Sequence, residues 1–242
     1  MPTHRRKLLQ QPPKVVERYV RLLMHRRAQA LARAIARKLA RPRLQLSERK
    51  RKSALASTLT TFALEAAKAK RLNFQASAAV LNLGLFFLIA EKDIQAVKID
   101  ALTHSDAWQR SLCARVILLT IHELDIDKVA GNKLRQAMVD AKVPDRIKKD
   151  VASSLRTVRK AQERAKRKFA ILRNSTIAHR DADAVLQHRA ITELDSVEVV
   201  KIAAEFYEGT HAFLTVLPEL LRLVGTIPGL VNQLSAQNIR TK

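Results

Sequence analysis

Apolar side chains recur every three or four residues along most of the chain, which is the spacing of one face of an α-helix. No stretch alternates between apolar and polar residues over the length of a strand. The pattern predicts helices at 14–40, 53–72, 74–90, 105–123, 125–141, 143–172 and 196–218, followed by a weak last helix. We therefore expect an all-α protein built as a helical bundle.

Individual residues set the predicted ends of these helices. Pro42 should stop the first helix, and Asn73 should separate the second from the third. Ser105 is a candidate N-cap, and Pro228 should interrupt the last helix. The residues from 173 to about 195 are predicted to form a polar, turn-rich segment.

The first predicted helix is amphipathic and strongly basic. Its apolar residues follow steps of four, four, three, four and four, and they are Val20, Met24, Ala28, Leu31, Ile35 and Leu39. Arginine and lysine occupy the other faces, and a second charge cluster at 47–52 predicts a linker. We therefore divide the chain into a basic arm with its linker at 1–52, a helical domain at 53–225 and a C-terminal tail at 226–242.

Charge is distributed unevenly along the sequence. The 242 residues include 45 lysines and arginines against 22 acidic residues, a net charge of +23. Residues 1–52 hold 17 of the basic and two of the acidic residues, which indicates a basic arm on a more ordinary body. The 47% of apolar residues exclude disorder throughout, and the single Cys113 excludes a disulfide framework and a cysteine-based zinc finger.

Membrane, metal and cofactor signals are absent from the sequence. The longest apolar run, 76–90, is shorter than a membrane span and contains Ser77 and Asn82, so we expect a buried core helix. The segment that precedes Val15 lacks the apolar core of a signal peptide, so we expect a cytoplasmic protein with no integral membrane segment. The sequence has no paired cysteines, glycine-rich phosphate loop or zinc-protease motif, so we expect no metal and no cofactor.

One segment differs from the rest of the chain. A long basic helix is predicted to end at Arg173 and Asn174, and His179 follows six residues after the arginine. This segment resembles the signature of the HEPN superfamily (higher eukaryotes and prokaryotes nucleotide-binding): an arginine, a polar residue and, after four to six residues, a histidine. The fuller pattern, with Ala178 and Asp181 beside the histidine, is similar to HEPN proteins linked to phage abortive infection. The resemblance covers about residues 53–225 and implies a HEPN-like helical bundle.

The resemblance implies a metal-independent endoribonuclease in which the 2′-hydroxyl of RNA attacks the adjacent phosphate. His179 would be the general acid and base, since an imidazole titrates near neutral pH. Arg173 would bind the phosphate and stabilise its growing charge, with Asn174 assisting. Arg180, as a phosphate ligand, and Asp181, as a group that fixes the imidazole tautomer, are second choices.

The family also implies partners. Its protomers pair so that both motifs line one cleft, which implies a homodimer. Its link to phage defence implies a toxin that acts on tRNA or mRNA, with an antitoxin as a further partner.

Basic side chains on two predicted helices form a candidate RNA-binding surface. They are Arg156, Arg159, Lys160, Arg164, Lys166, Arg167 and Lys168 on the long helix, and Arg26, Arg27, Arg33 and Arg37 on the arm. Phosphate contacts are blind to sequence and sensitive to salt, which suits a broad RNA substrate. A solvated face is the alternative for both helices. For the arm, the further alternatives are a membrane-surface helix, a transit peptide, or docking on a partner helix or on the bundle.

Two other functions remain open at this point. A non-catalytic HEPN module would bind RNA or nucleotides, or act as a dimeric scaffold. A basic helical structural protein would bind nucleic acid, with Arg173 and His179 as accidental neighbours. We expect Trp108 to be a core anchor rather than a base-stacking platform, and Arg115 and His122 to lie at a helix interface.

Overall fold

A computed structural model describes residues 13–172 and 183–240 of the chain. These residues form nine α-helices and no strand, which confirms the predicted all-α class. In chain order the helices are α1 Pro13–Arg71, α2 Gln75–Thr103, α3 Ala107–His122, α4 Ile126–Val129, α5 Gly131–Asp140, α6 Asp145–Leu172, α7 Ala184–Thr192, α8 Ser196–Gly225 and α9 Ile227–Arg240.

Three predicted helix boundaries are confirmed. α1 and α2 are separated at Asn73, whose φ of 56° lies in the left-handed region that ends a helix. α6 begins at Asp145, within the stretch where its start was predicted. α8 begins at Ser196, where the carboxylate of Asp195 accepts a hydrogen bond from the backbone N–H two residues further on.

The predicted helix end at Pro42 and the predicted linker after it are wrong. α1 continues through both without a break and is 59 residues long. An interior proline removes one backbone hydrogen bond and costs about 3 kcal/mol. Ion pairs with α2 on both sides of Pro42 act against that cost. The guanidinium of Arg41 lies 2.8 Å from Asp100, and Nζ of Lys98 lies 2.7 Å from Glu48.

Three other helices differ from their predicted extents, and buried apolar residues explain each difference. α2 extends beyond its predicted end at residue 90, with Ile94 and Ile99 buried in the added turns. α8 continues through Pro218, and Leu220 is buried beyond it. α7 lies in the segment that was predicted to be turn-rich, and Ile191 is its buried residue. Burial against neighbouring helices therefore extends helices past local stop signals.

Two predicted cap and break signals are also wrong. Asp106, rather than Ser105, caps α3, because its carboxylate accepts hydrogen bonds of 3.1 Å from the backbone N–H groups of Trp108 and Gln109. Pro228 does not interrupt α9 but lies in its first turn, where the N–H that proline lacks would have no acceptor within the helix.

The core lies between α2, α3, α6 and α8. Phe87 of α2 is fully buried and meets Phe213 and Phe206 of α8 edge-on, with ring centroids 5.4 and 6.5 Å apart. The apolar run at 76–90 belongs to α2 and is largely buried, as predicted. No single helix in the described part of the chain is long and apolar enough to cross a membrane. One pair of helices would be by length and composition alone, Ser196–Gly225 with Ile227–Gln233, but the two are bent by 73°.

A polar cluster ties the second half of α1 to α2 and α8. Burial raises the pKa of Glu91, although the hydrogen bond that its carboxylate accepts from Thr210 acts in the opposite direction. The hydroxyl of Tyr207 donates to the backbone carbonyl of Glu91 at 3.2 Å. The Tyr207 ring also contacts the cations of Arg51 and Lys98, at 4.8 and 5.1 Å from its centroid. These contacts hold α1 against the bundle from its middle onwards.

Candidate functional site

The residues of the HEPN-like motif lie between α6 and α7. Arg173, Asn174, His179, Arg180 and Asp181 all fall at 173–182, outside the described residues, so their predicted roles remain predictions. The structure describes the two helices that flank this segment. α6 ends at residue 172, and α7 begins at residue 184.

Both α6 and α7 are anchored on α3. Near the end of α6, the ring of Phe169 lies 5.1 Å from the ring of His122, in the last turn of α3. At the other end of α3, the hydroxyl of Ser111 donates a hydrogen bond of 2.7 Å to the carbonyl oxygen of Ile191 in α7. The two ends of the motif segment are therefore attached to helices that pack on opposite ends of α3.

Arg115 lies on α3 between these two anchor points. Its side chain is 7% exposed, and its Nε has no hydrogen-bond partner among the residues that the structure describes. Burial lowers the pKa of this guanidinium, since it costs free energy to hold the charge away from water. A guanidinium that no described carboxylate pairs with is suited to binding a phosphate, so Arg115 is a candidate phosphate ligand that the motif did not identify.

Trp108 is not the core anchor that we expected. The side chain is 47% exposed, and the guanidinium carbon of Arg115 lies 6.0 Å from its ring centroid. The ring of His188 in α7 lies 6.2 Å away on the same surface. An exposed indole beside a cation is a surface on which a nucleobase can stack. The expectation that Arg115 and His122 lie at helix interfaces is confirmed by the burial of Arg115 and the contact of His122 with α6.

The seven basic residues predicted to bind RNA on α6 fall into two groups. Three have carboxylate partners: Arg159 pairs with Asp127 at 2.6 Å, Arg164 with Glu205, and Lys168 with Glu198 at 2.8 Å. The other four are exposed and form no ion pair within the described ranges, and they are Arg156, Lys160, Lys166 and Arg167. We call these four residues the α6 basic face.

The α6 basic face points away from the core. Arg156, Lys160 and Arg167 follow helical spacing on the side of α6 opposite the fully buried Val158 and Ala161. Unpaired surface cations release water and counter-ions when they bind phosphates. Cations that are already paired with carboxylates release fewer counter-ions and therefore contribute less binding free energy. Among the described residues of α6, this face is therefore the one best suited to bind RNA.

The four arginines predicted to bind RNA on the arm lie in the first half of α1. Arg26 and Arg27 are exposed, and Arg37 is half-buried. The pKa of Arg110 in α3 is lowered by burial and also by the charge of Arg37, so the arm approaches the bundle there. Arg33 lies in the same helix, but its side chain is outside the described part of the structure.

Two clefts on the described part of the bundle differ in charge. A cleft of about 200 Å³ beside α6 and α7 has three carboxylates, Glu193, Asp195 and Glu198, against the single cation of Lys168. An open cleft of about 720 Å³ between α2 and α5 is lined largely by neutral polar and small side chains, with Lys70 and Lys133 against Asp140. In the part of the chain that the structure describes, no three histidine, cysteine, aspartate or glutamate residues converge on a possible metal site.

Comparisons with known proteins found no relative of this chain. No protein-family model, no curated protein and no solved structure matches the chain. The HEPN resemblance therefore rests on the residues of the motif segment.

Proposed function

We propose that this protein is a metal-independent endoribonuclease of the HEPN type, with Arg173, Asn174 and His179 as its active-site residues. The observation that carries the proposal is the place of the motif in the chain. α6 presents four exposed basic side chains, free of carboxylate partners among the described residues, and it ends one residue before Arg173. A phosphate backbone attracted to α6 is thereby brought to the motif.

In the proposed reaction, the 2′-oxygen of a ribose forms a bond to phosphorus, and the bond from phosphorus to the 5′-oxygen breaks. The products are a 2′,3′-cyclic phosphate and a 5′-hydroxyl. Neutral His179 accepts the proton of the 2′-hydroxyl, and a protonated imidazole gives a proton to the leaving oxygen. In a homodimer with both motifs in one cleft, the two His179 rings can divide these tasks.

The remaining motif residues bind the phosphate and orient the imidazole. The fork of Arg173 donates to the phosphoryl oxygens, whose charge grows towards the transition state, and the amide of Asn174 supports the same group. Arg180 is the second-choice phosphate ligand. Asp181 is the second-choice partner of the imidazole, since a carboxylate on one ring nitrogen fixes the tautomer at the other.

The proposed substrate is single-stranded RNA within tRNA or mRNA, bound through its phosphates. The α6 basic face supplies the charge, and Trp108 beside Arg115 supplies a place for one base and its phosphate. A homodimer, a role as a phage-defence toxin and an antitoxin partner belong to the proposal through the family resemblance alone.

The test is RNA cleavage by the purified full chain in excess EDTA. His179→Ala should abolish cleavage, because the general acid and base is lost, and the change should leave the thermal unfolding midpoint and the native mass unchanged. His211→Ala is the matched control, since His211 is an exposed histidine on α8 that forms no part of the proposed site. The proposal fails if His179→Ala cleaves as fast as the wild-type protein, or if the control loses activity to the same extent.

A second pair of variants tests the α6 basic face. Arg167→Glu should weaken RNA binding and lower the slope of log affinity against log salt by about 0.7, the value for one phosphate contact on a single strand. Arg135→Glu makes the same charge change at an exposed arginine on α5 and should leave that slope unchanged. Equal effects of both variants would mean that only net charge matters and that α6 is not the binding surface.

The alternative functions give different results in the same assays. A non-catalytic HEPN module would bind RNA and yield no products under any condition. A basic structural protein would lose all nucleic-acid binding on deletion of residues 1–52, whereas our proposal predicts that binding through α6 survives that deletion.

A further inference from the structure

The first half of α1 exposes an apolar stripe along its length. We call residues 14–40 the arm. Val20, Met24, Leu31, Ile35 and Leu39 are each at least 48% exposed to solvent. They fall on one side of the helix, since Leu31 and Ile35 repeat the positions of Val20 and Met24 three helical turns later. A continuous stripe of large apolar side chains in water is rare on a soluble protein unless something covers it.

None of the described residues of the bundle buries this stripe. In the described residues, hydrogen bonds and ion pairs from α1 to the bundle begin at Arg41, which pairs with Asp100. The first α1 residue that is buried against the bundle is Leu55. At a rise of about 1.5 Å per residue, the arm forms a rod of about 40 Å. The arm is therefore a long helix whose apolar side lacks a partner in the part of the bundle that the structure describes.

The arm also carries a high positive charge. It contains eight lysines and arginines, and Glu17 is its one acidic residue. That carboxylate lies 3.1 Å from the guanidinium of Arg21. Arg27 and Lys38 lie three helical turns apart and flank the apolar stripe, so positive charge runs beside it. Whatever covers the arm must therefore be apolar and anionic at once.

Three occupants can be compared on this requirement. RNA would neutralise the arginines but would leave the apolar stripe in water. A second copy of the arm would cover the stripe but would bring two rods, each of net charge +7, side by side. The surface of an anionic bilayer would cover the stripe and neutralise the cations. The apolar side chains would insert among the acyl chains, and the cations would bind the lipid headgroups.

We propose that the arm binds an anionic membrane surface, lying in the plane of the headgroups without crossing the bilayer. The N-terminal end of the arm supports this occupant further. Val15, Tyr19, Leu22 and Leu23 are all at least 36% exposed and widen the apolar surface beyond a single seam. Such a width is more than one partner helix would cover, and a tyrosine among these residues suits the headgroup layer.

The experiment measures binding of the full chain to sedimented vesicles. Vesicles of phosphatidylcholine with about 30% phosphatidylserine should bind the protein at least tenfold more tightly than vesicles of phosphatidylcholine alone, and high salt should weaken that binding. Replacing Leu31 and Ile35 together by serine should lower the affinity for the anionic vesicles by at least about tenfold.

The matched control is Leu64→Ser. Leu64 is an equally exposed leucine of α1, 66% exposed, but it lies in the half of the helix that packs on the bundle. Its substitution should leave vesicle binding unchanged. All these side chains are exposed, so the variants should unfold at the wild-type temperature.

Three outcomes would overturn the proposal. Equal binding to neutral and anionic vesicles, or none to either, would contradict a charged membrane surface as the occupant. A loss of RNA affinity in the Leu31 and Ile35 double variant, with vesicle binding intact, would identify RNA instead. A change of native mass in that variant would identify a second copy of the chain. None of these results depends on whether the protein cleaves RNA.

Discussion

The substitution Gly209→Ala tests the close packing of α6 on α8. A Cβ at Gly209 would lie 2.7 Å from Cγ2 of Val158, 2.8 Å from its backbone nitrogen and 3.2 Å from the carbonyl oxygen of Ser154. Overpacking of a core costs about 1–3 kcal/mol, and a clash with a buried helix backbone has no rotamer escape, so we take about 3 kcal/mol. Alanine regains about 1 kcal/mol of helix propensity, which leaves a net loss of about 2 kcal/mol.

A loss of about 2 kcal/mol should lower the unfolding midpoint of a chain of this size by about 4–8 °C. Circular dichroism during heating and urea unfolding both measure it. Gly225→Ala is the control, since no heavy atom lies within 4 Å of the added methyl group there, and we expect it to be neutral or slightly stabilising. A Gly209→Ala protein as stable as the wild type would refute the packing of α6 against α8.

Other substitutions test the core and its charges. Phe87→Ala should cost about 3–5 kcal/mol of unfolding free energy, because the ring is fully buried, whereas Phe74→Ala, at a 39% exposed position, should cost far less; urea denaturation distinguishes them. Burial raises the pKa of Glu91 above its ordinary value of 4.5, so the folded protein loses stability as pH rises and this carboxyl ionises. Glu91→Gln cannot ionise and should therefore become more stable relative to the wild type between pH 4.5 and neutrality. The pKa of Glu48 is lowered, because hydrogen bonds from α2 outweigh its burial, so its stabilising contribution is lost as pH falls through the folded pKa. Glu48→Gln should therefore cost stability near neutrality and little in acid, and stability differences that do not change with pH would contradict both assignments. Arg115→Met should raise the free energy of unfolding by about 1 kcal/mol, because it removes a buried charge that has no carboxylate partner among the described residues. It should also slow RNA cleavage at least about tenfold, and unchanged cleavage would remove Arg115 from the site.

Helix α6 was predictable from the sequence because local and tertiary signals agree there. Val158, Ala161 and Ala165 recur at helical spacing and are fully buried, and the charged residues fall on the other faces. Pro42 shows the opposite case. The local rule ends a helix at an interior proline, but ion pairs with α2 on both sides of it favour a continuous α1.

The basic residues of α6 could not be sorted from the sequence. All seven look equivalent along the chain, yet three are paired with carboxylates. The partner of Arg159 is 32 residues away in the chain, and the partner of Arg164 is 41 residues away. Such pairs exist only after the helices have packed. For the same reason the exposure of Trp108 could not be foreseen, since it depends on where α7 lies against α3.

RNA cleavage by the 2′-hydroxyl, at the motif that follows α6, is the activity on which the proposed function depends. The chemistry of the product ends tests it, determined by mass spectrometry after the purified chain has acted on a defined RNA in excess EDTA. We predict 2′,3′-cyclic phosphate and 5′-hydroxyl ends, and no cleavage where the attacking hydroxyl is replaced by 2′-O-methyl. Ends with a 3′-hydroxyl and a 5′-phosphate, or equal cleavage of the 2′-O-methyl substrate, would contradict this mechanism.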